Sequence, residues 1–192
     1  MKRIGLTGGI GSGKSFIAEI LEHMGYPVYY SDARSKELTK SNPTIHEGLI
    51  LLFGPNAFSG NQLNTKLISE LIFKDDSLRL KINQLIHPIV RADFENWACR
   101  QQTNLVFNEA AILFETGAYK NLDATILVCA PKELKIQRVI NRENCSREEV
   151  LIRMNKQWSD EEKMKLTSFQ IINDGEIPVL VQIENVLTQL EQ

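Results

Sequence analysis

An α/β fold, with a five-stranded parallel sheet flanked by helices, is predicted by three observations in the sequence. Short apolar runs alternate with longer segments whose apolar residues recur at helical spacing, the order of βαβ units. The first run leads directly into a glycine-rich octapeptide and then a helical pattern. The run Leu105-Val106-Phe107 is apolar enough to be buried on both faces, as parallel strands are.

The octapeptide is Gly8-Gly9-Ile10-Gly11-Ser12-Gly13-Lys14-Ser15, which fits G-x-x-x-x-G-K-[ST], the phosphate-binding loop. Its glycines let the backbone take positive φ and bring N–H groups close to an anion. Lys14 has the reach for β- and γ-phosphates, and the Ser15 hydroxyl can complete the coordination of Mg²⁺. The context is the one this loop needs. Lys2 to Thr7 is β-compatible, and Ile17, Ile20, Leu21 and Met24 form one apolar helical face. Gly25 and Pro27 stop that helix.

The chain has 192 residues, a net charge of −2 and 3 cysteines. That length suits one α/β domain with insertions, divided into a core of about 1–32, 88–137 and 158–192, a helical insertion of about 33–87 and a lid of about 138–157. The charge gives no sign of a nucleic-acid or membrane surface. Cys99, Cys129 and Cys145 are widely spaced, so neither a disulfide framework nor a zinc site is expected. No apolar run approaches the ~20 residues of a membrane span, and the glycine loop begins too early for a signal peptide. A cytoplasmic protein is expected; nothing in the sequence fixes its oligomeric state, and a monomer is compatible with it.

Along the chain, Val28-Tyr29-Tyr30 reads as the second strand, followed by Ser31-Asp32. Ligands bind at the carboxyl ends of parallel strands, so Asp32 either faces whatever sits beside the γ-phosphate or caps the next helix. From Ala33 to about Leu85 three apolar helical faces follow with no strand-like alternation, broken at Asn42-Pro43, Gly54-Pro55 and Ser59-Gly60-Asn61. This predicts a helical insertion able to cover a substrate. His87-Pro88 reads as its joint to the next helix, with Pro88 in the first turn and His87 as cap.

The third strand, Leu105-Val106-Phe107, ends at Asn108-Glu109. An acid there can help hold Mg²⁺; Glu109 is the nearest, Glu115 the next, and either can equally be a surface charge. Ala124 to Ala130 is the fourth strand, closed by Pro131 before a helix. Arg138 and Arg142 share a face of that helix, and Arg147 and Arg153 follow, with a capping box at Ser146 to Glu149. Such arginines form either a lid that clamps phosphates or a solvated, salt-bridged helix pair. Ser168 to Ile172 is the fifth strand, ending in the turn Asn173-Asp174-Gly175 before a last amphipathic helix.

These motifs together resemble the dephospho-coenzyme A kinase family of phosphate-loop kinases over the full chain. The resemblance is carried by Leu6 to Ser15, Asp32, Leu85-Ile86-His87-Pro88 and Ile112-Leu113-Phe114-Glu115. Gln137-Arg138 through Arg142, Ser146-Arg147-Glu148, Gln157 and Ile172 to Gly175 complete it. It implies transfer of the γ-phosphoryl of ATP to the ribose 3′-hydroxyl of dephospho-coenzyme A, giving coenzyme A and ADP. It further implies that Asp32 is the general base, with Lys14 and Arg138 serving the phosphates in catalysis. Gly9 through Phe16, Arg142, Asn173 and Gly175 would bind the nucleotide, the last two beside adenine, and Ser15 and Glu109 would hold Mg²⁺. Lys36, His87 and Glu115 would belong to the acceptor side, Glu115 at a position whose particular role stays open.

The chain departs from the family pattern at four places. Tyr30-Ser31-Asp32 stands where Asp-x-Asp is usual, Lys36 where arginine is usual, Ala111 where proline is usual, and Phe16 where threonine is usual. Asp32 is retained, and with it the acid the chemistry needs. A nucleoside or nucleotide kinase of the same architecture is the nearest rival. A GTP-dependent switch is disfavoured, because N-K-x-D and D-x-x-G are both absent from the sequence.

Overall fold

The computed structural model describes residues 1–60 and 62–192, with all side chains except those of Phe73, Lys74 and Asp76. The chain divides into two compact units, residues 1–30 with 100–192, and residues 31–99.

The first unit is built on a five-stranded, wholly parallel sheet in the order β2-β5-β1-β6-β7. Its strands are β1 (Lys2–Thr7), β2 (Val28–Tyr30), β5 (Leu105–Glu109), β6 (Ala124–Cys129) and β7 (Phe169–Ile172). All five residues of β5 are buried, which explains why its apolar start gave no alternation. The strand runs two residues past the expected Phe107 and takes in Asn108 and Glu109. Helices α1 (Lys14–His23), α6 (Lys132–Glu143), α7 (Arg147–Met154), α8 (Asp160–Met164) and α9 (Val179–Leu190) complete the unit. Ile17 and Leu21 of α1 and Ile183 and Leu187 of α9 pack with Ile4, Leu6, Phe107, Ile126 and Val128. Each such side chain, fully buried, contributes about 1.5–3 kcal/mol. The capping box at Ser146 and Glu149 is present, and Ser159 with Glu162 forms a second at the start of α8. The same S-x-x-E spacing could have revealed it.

The second unit is helical: α2 (Ser31–Ser41), α3 (Pro43–Phe53), α4 (Thr65–Lys74) and α5 (Asp76–Ala98). Leu38, Ile45, Leu49, Phe53, Ala57 and Ile68 form its core. Three expectations are corrected here. A short antiparallel hairpin, β3 (Phe58–Ser59) with β4 (Gln62–Leu63), lies within the insertion. Strands of two residues are too short to show alternation; Asn61 of the expected break lies outside the described residues. His87-Pro88 is no joint, because α5 runs through it without a break. The proline removes one helical hydrogen bond, yet Leu78, Ile82, Leu85, Ile86, Ile89 and Val90 all pack on the same core and carry the helix across. Asp32 does not cap α2 but stands in its first turn, since the helix already begins at Ser31. Among the described residues no helix is long and apolar enough to cross a membrane.

Candidate active site

The loop between β1 and α1 is fixed by backbone geometry and by close packing. Ser12 N–H donates to the Gly9 carbonyl at 3.0 Å, closing the loop on itself. Gly11 and Gly13 have φ of 78° and 92°, the left-handed region that favours glycine. Space restricts them further. A Cβ on Gly11 would lie 2.3 Å from the Lys135 carbonyl oxygen, and one on Gly13 would lie 2.1 Å from Asn173 Nδ2. Gly13 is also the N-cap of α1 and supplies no capping side chain, so the first turn keeps its N–H groups for an anion. The Ser12 hydroxyl is buried and makes no hydrogen bond.

Lys14 reaches the end of β5, where its Nζ pairs with the Glu109 carboxylate. Glu109 is only 3% exposed, so this is a pair withdrawn from water. Each partner offsets a desolvation cost that the other alone would leave unmet. β1 and β5 are tied just beyond by Thr7 Oγ1, which donates to the Ala110 carbonyl at 2.7 Å. Tyr30 stands in register with Glu109, and its hydroxyl donates to Glu22 at 2.7 Å. Burial and then the bond to Glu22 push that phenol well above its ordinary range.

On the other side of the loop, Arg138 Nη1 donates to the Asn173 carbonyl at 3.0 Å and to the Ser12 carbonyl at 3.4 Å. Asn173 Nδ2 donates to that same Ser12 carbonyl at 3.0 Å. The turn after β7 thereby meets the loop, and Gly175 within it has φ of 92°. A cleft of about 430 Å³ opens here, lined by Gly9, Ile10, Gly11, Gly13, Lys14, Ser15, Phe16, Ala111, Arg138, Arg142, Arg153 and Gln157. Its lining has four cations and no carboxylate, a charge balance that suits a polyphosphate. Behind the loop, Lys135 and Asp160 form a buried pair at 2.7 Å, and burial pushes the Cys129 thiol up to about 11.

The structure thus brings most of the expected nucleotide residues together, with Arg138 and Arg142 on one cleft. Arg142 and Arg153 are both held by Glu143, while Arg147 pairs with Glu133 on the surface. Glu115 lies elsewhere, with its Oε1 accepting from Trp158 N–H at 2.9 Å and lying 3.1 Å from Lys163 Nζ. Asp32, Lys36 and His87 belong to the helical unit. Asp32 and Lys36 are one turn apart on α2, and His87 is half-buried in α5. Burial, and next the charge of Arg91, lower the His87 pKa. No sequence motif pointed to Lys135, Asp160 or a partner of Gln157.

For a cation, the donors flanking the loop lysine are the Ser15 hydroxyl and the Glu109 carboxylate. No group of three or more His, Cys, Asp or Glu that could hold a metal occurs among the described residues. This donor set fits Mg²⁺, which keeps several waters and shares its coordination with substrate phosphates.

A phosphate loop at the carboxyl edge of a parallel sheet, opening on a cationic cleft, defines a phosphotransferase of the phosphate-loop kinase class. Within that class the chain belongs to the dephospho-CoA kinase family, whose model matches residues 2–178. A dephospho-CoA kinase from Bacteroides fragilis (strain YCH46) is 41% identical over 191 residues, covering 99% of this chain and 93% of the relative. The crystal structure of the Thermus thermophilus protein TT1252 superposes with a TM-score of 0.87 at 37% identity, covering 98% of this chain and 97% of its own. A dephospho-CoA kinase from Campylobacter jejuni gives a TM-score of 0.67 at 25% identity, covering 98% and 95%.

Proposed function

We infer that this chain is a dephospho-CoA kinase, moving the γ-phosphoryl of ATP to the ribose 3′-hydroxyl of dephospho-CoA and releasing CoA and ADP. The observation that carries the reading is the pairing of the family match over residues 2–178 with a complete phosphate loop on a carboxylate-free cleft. Phosphoryl transfer asks a protein chiefly for positioning and charge neutralisation. The loop N–H groups and Lys14 hold the phosphates, and Arg138 meets the charge that grows on the transferring group. Asp32 takes the proton from the 3′-hydroxyl as its oxygen bonds to phosphorus, while ADP leaves with the electron pair. Ser15 and Glu109 are the residues that would hold Mg²⁺, which when bound supplies further charge neutralisation at the phosphates.

Asn173 and Gly175 lie beside adenine in this reading, Arg142 assists the nucleotide, and Lys36, His87 and Glu115 serve the acceptor side. Residues 138–157 act as a lid that excludes water as a competing nucleophile, and the helical unit binds the acceptor. The chain works in the cytoplasm. The test is ADP release coupled to a colour reaction, with dephospho-CoA set against a panel of nucleosides and nucleoside monophosphates. Turnover with dephospho-CoA alone supports the reading. Turnover with a nucleoside and none with dephospho-CoA overturns it.

A further inference from the structure

We propose that Gln157 is a positioning residue of the phosphate loop, joining the rim of that loop to the end of the arginine-bearing helix α7. The proposal deepens the kinase reading and rests on it. Gln157 Oε1 accepts the backbone N–H of Ile10 at 3.0 Å. The Ile10 side chain in turn packs on Ile136, Val139 and Val150, the small core shared by α6 and α7. One loop residue is therefore held twice, through its side chain by the core of α6 and α7 and through its backbone by the turn that follows α7.

Gln157 is itself held on both sides. Its N–H donates to the Met154 carbonyl at 3.0 Å, directly after α7. The next N–H, of Trp158, donates to Glu115, which also engages the fully buried Lys163. The other Glu115 oxygen is buried and makes no hydrogen bond. Arg153, one turn before Gln157, lines the same cleft. A displacement of α7 is thereby passed to the loop rim, and Glu115 acts on the nucleotide site through residues 157 and 158. Gln157 works on ATP through the shape of the loop, so its loss weakens ATP in ground and transition states alike and spares the acceptor.

The test compares Gln157→Met, similar in length but only a weak acceptor, with Gln157→Glu, which keeps an acceptor oxygen. Two quantities are read on the full chain without acceptor: exchange of the Ile10 amide in the absence of nucleotide, and the ATP dissociation constant. Gln157→Met is expected to lose protection at Ile10 and to bind ATP about fivefold more weakly, the worth of one hydrogen bond. Its KM for ATP rises by the same factor while KM for dephospho-CoA stays unchanged. Gln157→Glu is expected to keep the Ile10 protection. Full Ile10 protection or parental ATP affinity in Gln157→Met overturns the proposal. Should that variant fail to fold, loss of Ile10 protection in Gln157→Glu overturns it and its retention supports it. Ile10 exchange and the ATP dissociation constant are both read without dephospho-CoA, so a parent inactive on that acceptor refutes the kinase reading and not this one.

Discussion

Lys14 Nζ sits on the Glu109 carboxylate, so the cation of the phosphate loop is neutralised from the end of β5. The Glu109 side chain is 4% exposed, so little water reaches its charge. Lys14→Ala is expected to lower turnover by at least ~10²-fold, the cost of one phosphate clamp. It also leaves a buried carboxylate unpaired, so the melting temperature should fall. Adding Glu109→Gln should restore melting but not turnover, because it removes the stranded charge without returning the clamp. Scanning calorimetry and steady-state rates on the three variants check this. A double variant that melts no higher than Lys14→Ala would show that the pair has no bearing on stability.

Arg138→Ala is expected to cut turnover by about 10²-fold while ATP affinity changes only a few-fold, since an arginine on a transferring phosphate acts chiefly in the transition state. Its present partners are carbonyl oxygens of Ser12 and Asn173, and the Ser12 carbonyl keeps the Asn173 amide as donor when the guanidinium is gone. Rates paired with ATP titration decide the matter. Weakened ATP binding at parental turnover would make Arg138 a ground-state anchor.

How much of this was legible in the sequence depends on the range of each interaction. The strand, loop and helix around Lys14 were readable because eight contiguous residues carry the backbone demand. The bounds of α5 were not, because a proline reads as a boundary while the packing of Ile89 and Val90 overrides it. Lys14 and Glu109 were both expected at the site, but for different partners. That they bind each other joins residues 95 apart in the chain, which no local pattern records. Gln157 was visible as a family match yet mute in purpose, because its partner is a backbone N–H. Lys135 and Asp160 gave no sign, for their pairing depends on how α8 meets α6.

Stability should depend on pH through His87. Burial first, then Arg91, places its folded pKa below the ordinary 6.5. Above 6.5 the imidazole is neutral in both states and its contribution is fully present. As pH falls below that value the unfolded chain takes up a proton that the folded chain refuses, so stability is lost down to the folded pKa. The drop in melting temperature between pH 8 and pH 5.5 should therefore be smaller in His87→Gln than in the parent. Equal drops in the two proteins would place the acid sensitivity elsewhere.

In the proposed reaction Asp32 separates transfer to an acceptor from plain hydrolysis of ATP. It follows β2 by two residues and stands in the first turn of α2, where a carboxylate is favoured by the helix dipole. Tyr30 stands where the family pattern has a second acid, and its hydroxyl is turned to Glu22, so it cannot replace Asp32 as base. A general base contributes about 10²–10⁴-fold. Asp32→Asn is therefore expected to bind ATP as the parent does and to lose transfer to dephospho-CoA by that factor. The amide is nearly isosteric, so melting should stay close to the parent. Single-turnover transfer and ATP titration on one preparation give both halves of the answer. Transfer at the parental rate would leave Asp32 a helix-stabilising charge and require another group to take the proton.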